Sequence, residues 1–142
     1  MAFTYTGFVD GIRTMTVEGV VRAYNAPPRR VAAEDLPLSY PRLPTAGNEN
    51  AIVTVGTSTE RGSVDLVIIV EALGLEKEEA TFDAALALID ALAGALKTNA
   101  GALGVESWDI RQQYEQYGDT TYTVVVATIT SKAYYAGTGT TC

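Results

Sequence analysis

Apolar side chains recur along this chain with two periods. Phe8, Ile12, Met15, Val20 and Tyr24 return every three to five residues, which predicts a first helix over residues 7–24 with one apolar stripe. Thr14, Thr16, Val17, Val20 and Val21 are weak helix formers, so packing has to hold it, and Pro27 and Pro28 end it. Residues 51–58 and 63–73 read as two strands joined by a hairpin loop at 59–62. In the second, Val64, Leu66, Ile68 and Val70 share one face. The other face carries Ser63, Asp65, Val67, Ile69 and Glu71, apolar in its middle. A strand apolar on both sides needs cover on both sides, and one helix layer covers only one.

Residues 76–97 predict a second helix. Phe82, Leu86, Leu88, Ile89, Leu92 and Leu96 form its stripe, alanines keep it slim, and the stretch 99–104 breaks it. Trp108, Ile110 and Tyr114 alternate with polar residues in a third strand. Residues 121–134, with Val124, Val125, Val126, Ala127 and Ile129, make a fourth that is apolar on both faces, after a turn at 117–120. The order is α-β-β-α-β-β. It predicts an α+β fold, with a mainly antiparallel or mixed four-stranded sheet and two helices packed on one face. Residues 1–136 read as a single domain and 137–142 as a flexible Gly/Thr-rich tail.

All five prolines lie in residues 27–44, a long arm after the first helix. Proline fixes φ and donates no backbone hydrogen bond, so this arm is neither a helix interior nor a central strand. Leu36, Leu38, Tyr40 and Leu43 alternate with the prolines and require a surface, either the chain's own sheet or a neighbouring copy. With Arg29, Arg30 and Arg42 they form the candidate subunit interface. A turn at 45–48 leads on into the sheet.

At 142 residues with 47% hydrophobic content, the chain is long enough to bury one sizeable core. Its net charge of −7 disfavours general nucleic-acid binding, which needs clustered Lys and Arg. The N-terminus lacks the basic and apolar regions of a secretory signal, and the most apolar stretch, 84–96, is too short to cross a bilayer. The expectation is a soluble protein made in a cytoplasm.

Histidine is absent and Cys142 is the only cysteine. That removes imidazole acid–base chemistry and any intrachain disulfide. No phosphate-binding glycine loop, Cys-x-x-Cys pair or nucleophile elbow appears, so no catalytic residue, metal ligand or cofactor is assigned. Asp65, inside an apolar strand, invites an acid–base role, but pairing with Arg111 or Lys132 accounts for it more simply. Glu76, Glu78 and Glu79 suit the first turns of the second helix and are candidates to line a pore.

Two-sided strands, a sticky proline arm and a slim helix suit a subunit that packs against copies of itself. The segment Leu36-Pro37-Leu38-Ser39-Tyr40-Pro41 after the first helix resembles the tail terminator proteins of long-tailed bacteriophages. So do the apolar strand 64–70, the helix 80–96 and the strand 122–130. The likeness is one of element order over residues 8–133. It implies a virion structural protein, not an enzyme: a ring, usually of six, at the tail–head junction. Such a ring caps the tail tube, stops its polymerisation and meets the head connector, and DNA passes its lumen without specific binding. Neck, connector and tube proteins share this texture and stay open as alternatives. A small α+β ligand-binding domain with a carboxylate-lined pocket is a reading of another class.

Overall fold

The computed structural model describes residues 4–50, 57–72, 78–131 and 134–137. Two α-helices and a mixed sheet confirm the α+β class, but the described strands number seven rather than four. The sheet's main path is β1 (Arg22–Ala23), β2 (Leu38–Pro41), β4 (Thr57–Ala72), β6 (Thr120–Ser131), β5 (Val105–Tyr117). β3 (Thr45–Asn50) and β7 (Tyr134–Gly137) pair with β4 off that path. β1 and β2 are parallel, and the other pairings are antiparallel.

The first helix, α1 (Tyr5–Arg13), is shorter than its periodicity predicts. Thr4 caps its start by accepting from the Gly7 N–H at 3.1 Å. At the other end the Thr14 hydroxyl bonds back to the Asp10 carbonyl at 2.6 Å, and β-branched residues follow. Val17 still reaches the core from the turn beyond, so the apolar spacing outlasts the helix. The second, α2 (Glu78–Leu103), runs through the expected break at Asn99 and stops at Gly104, whose φ of 72° favours glycine. Leu103 belongs against the core, so extending the helix buries a side chain. It lies so close to α1 that a Cβ on Gly11 would stand 2.5 Å from its Cδ2.

Both helices pack on one face of the sheet, as expected. Phe8, Ile12, Ala85, Leu88, Leu92 and Leu96 meet Val64, Leu66, Ile68, Val125, Ala127 and Ile129 there. The opposite face has its own core of Leu38, Tyr40, Val67, Ile69, Val124 and Val126, with Tyr24, Val31 and Leu36 packed on it. The proline arm therefore supplies the second cover. Its β2 lies along β4, pairing Leu38 with Ile69 and Tyr40 with Val67.

Two turn assignments give way to pairing. Residues 45–48 belong to β3, and the expected loop at 59–62 lies within β4, paired with β3 throughout and with β7 at 59–60. Long-range partners outweigh local turn chemistry here. Residues 51–56 of the first predicted strand lie outside the described residues. The turn at Gly118 and Asp119 stands as expected, with Gly118 at φ 63°. Gly137, assigned to the tail, closes β7; residues 138–142 are outside the described set.

Leu38 is fully buried and Leu43 is 92% exposed on the same arm. Leu38→Ala should cost about 2–5 kcal/mol in denaturant unfolding while Leu43→Ala costs less than about 0.5. Gly94 is exposed in α2 and a Cβ there meets nothing within 4 Å. Gly94→Ala should therefore raise the unfolding free energy by about 0.5–1 kcal/mol, and a lower melting temperature would show that the helix needs that glycine.

Candidate functional site on the second face of the sheet

Alternation along β5 turns Trp108 and Ile110 to the helix core and leaves Asp109, Arg111, Gln113, Glu115 and Tyr117 on the opposite face. Asp65 of β4 and Thr128 of β6 are register partners on that face, and Arg42 follows directly after β2. These side chains form a polar margin beside the second core. Arg111 Nη1 donates to Thr128 Oγ1 at 2.8 Å, and that hydroxyl donates to Asp65 Oδ1 at 2.8 Å. Arg42 bridges two carboxylates, with Nη1 4.0 Å from Asp65 Oδ2 and Nη2 donating to Glu115 Oε1. Glu115 also accepts from the Tyr117 hydroxyl at 2.7 Å and from Gln113 Nε2 at 2.6 Å. Tyr117 shares a hydrogen bond with the Tyr40 hydroxyl, and their rings meet edge to face at 6.4 Å.

The electrostatics follow from these contacts. Burial pushes the Glu115 carboxyl up, but donors from Arg42, Tyr117 and Gln113 outweigh it and hold the carboxyl below its ordinary range. Burial, and then the bonds to Tyr40 and Glu115, raise the Tyr117 phenol. Burial disfavours the Arg42 cation, yet its bonds to Glu115 and Tyr40 raise its affinity for the proton further. Arg42 offsets part of the charge of Asp65 and Glu115, and its two contacts clip the end of β2 to β4 and β5. Three strands far apart in sequence are tied by one guanidinium.

The sequence-derived candidates fall in different places. Leu38 and Tyr40 are buried in the chain's own second core, and Leu36 packs on it; they offer a neighbour little surface. Leu43, Arg29 and Arg30 remain exposed. Arg42 is held in the network. Asp65 has the pairing role, but reaches Arg111 only through Thr128, while Lys132 lies outside the described residues. Glu79 is exposed at the start of α2, Glu78 belongs to the same turn, and Glu76 lies outside the described residues. Glu115 and Tyr117 were not singled out by sequence reading. Their position on one face of β5 follows from the period of two, but the Arg42 partner across 73 residues had no sequence signal.

Among the described residues no group of three His, Cys, Asp or Glu could hold a metal ion, and no helix is long and apolar enough to cross a membrane. No protein-family model matches the chain, and no curated protein matches it.

A carboxyl held below its ordinary 4.5 stabilises the fold above that value and loses the contribution as pH falls through the folded one. Glu115→Gln should therefore melt lower than the parent at pH 7, and the gap should narrow as pH falls from 5 towards 3. A gap independent of pH would mean that the charge on Glu115 does not hold this corner.

Proposed function

We propose that this chain is a structural subunit of a long-tailed phage virion, a tail terminator that forms a ring on the tail tube. The ring stops tube polymerisation and joins the tail to the head connector. The observation that carries the reading is the shape of β4. Its residues 57–62 precede the stretch that pairs with β6 and β2, and extend about 20 Å at the rise of a β-strand. β3 pairs with 58–63 and β7 with 57–60, so a three-stranded ribbon continues the sheet past β2 and β6, and on this reading a neighbour meets it there.

Other features support the same reading. A helix before the proline arm and a second helix between β4 and β5 are features shared with the resemblance, although the chain has more strands than expected. Glu79, Asp83 and Asp90 are exposed on α2 and make this layer acidic. Turned to a lumen, such a layer repels DNA weakly and lets it pass. The polar network on the second face is closed on itself, which suits a structural clip better than a ligand pocket.

Light scattering with negative-stain imaging over a concentration series tests this. We expect closed rings of about six copies that never lengthen. Filaments would point instead to a tube protein, and a monomer at every concentration would overturn the ring.

A further inference from the structure

The two ends of the sheet are chemically opposite. α1, β1 and β2 at one end come from residues 4–44, which carry five arginines against four Asp and Glu, a net +1. α2, β5 and β6 at the other end come from residues 78–131, where eight Asp and Glu stand against Lys97 and Arg111, a net −6. Exposed apolar side chains divide in the same way. Val21 at 62% and Leu43 at 92% border β1 and β2. Phe82 at 56% and Leu86 at 47% share a flank of α2, and Tyr114 at 61% lies on the helix side of β5. β4 and β5 run parallel with α2 crossing between them, and the right-handed sense of such crossovers turns the Phe82–Leu86 flank towards β5.

β5 is the outer strand on this side. Among the described residues nothing pairs with its far edge, and its 13 residues include neither Lys nor Pro, the usual guards of an exposed edge. At the opposite end Arg29 and Arg30 are exposed and make no ion pair among the described residues. They belong to the arm on the second face of the sheet, the face on which β5 presents Asp109.

We propose that copies of this chain associate head to tail, the β5 edge of one copy receiving the β1 edge of the next. Arg29 and Arg30 then face Asp109, and Val21 and Leu43 approach Phe82, Leu86 and Tyr114. This rests on the assembly reading above and names the surfaces that would make the ring. A two-fold contact of β5 with itself would bring two acidic edges together. Two different, complementary surfaces give a heterologous contact, which closes into a ring when the rotation per copy allows.

The test measures assembly at low ionic strength by sedimentation velocity for the parent, Arg29→Glu/Arg30→Glu, Asp109→Arg, and the triple variant. Arg29→Glu/Arg30→Glu and Asp109→Arg should each raise the concentration needed for half-assembly about tenfold or more, and the triple variant should recover most of it. All four should melt alike, because these side chains are exposed. A second pair, Phe82→Asp and Tyr114→Asp, should weaken assembly at any salt concentration. If the parent assembles and Arg29→Glu/Arg30→Glu assembles equally well, this interface is wrong while the ring stands. If the parent never assembles, the ring fails and the interface with it.

Discussion

The fold depends on one strand that is apolar on both sides. β4 sends Val64, Leu66 and Ile68 towards the helices and Val67 and Ile69 the other way, and all five are nearly or fully buried. Burying an aliphatic side chain is worth about 1.5–3 kcal/mol, so neither face tolerates water. α1 and α2 answer one demand. The other is met by the proline arm, which, against expectation, places β2 inside the sheet between β1 and β4, with Pro41 beyond the two residues that β1 pairs. Proline is tolerated there because only a short stretch, β2, joins the ladder, with the rest draped over Val124, Val126 and Ile69. Without that cover the second face would be an aggregation-prone patch.

The apolar half of this arrangement was legible from the chain. Period-two alternation marked β5, apolar runs marked β4 and β6, and the two-sided character of residues 64–70 demanded a second cover before one was visible. The ends of elements were less legible. α1 ends at Thr14, whose N–H and hydroxyl both donate to the Asp10 carbonyl, and the apolar spacing through Val17 conceals that end. β3 was hidden because Thr45-Ala46-Gly47-Asn48 carries turn residues, and only its partner on β4 makes it a strand. The arm's apolar side chains were marked as needing a surface, but composition does not say whose. Leu38 and Tyr40 found the chain's own sheet, and Leu43 did not.

The polar margin follows from the same packing. Once β2 is seated, Arg42 emerges beside Asp65 and opposite Glu115, and the resulting clip locks the arm to β5 through Tyr40 and Tyr117. The Arg42 N–H also donates to the Asp65 carbonyl at 2.8 Å, continuing the ladder past the end of β2. With its second face covered from within, the sheet keeps its lateral edges for the neighbours that the proposed assembly requires. An assembly subunit needs that division: a self-sufficient core, and edges that differ from each other.

The claim beneath all of this is that the proline arm covers its own sheet in a single copy of the chain. Residue-resolved hydrogen exchange, on protein dilute enough to be monomeric, tests it most directly. The β2 amides that face β4 should exchange as slowly as those of β4 and β6, through global unfolding. Rapid exchange of β2 in the monomer, slowed only when copies associate, would contradict the account and make the arm a bridge between subunits.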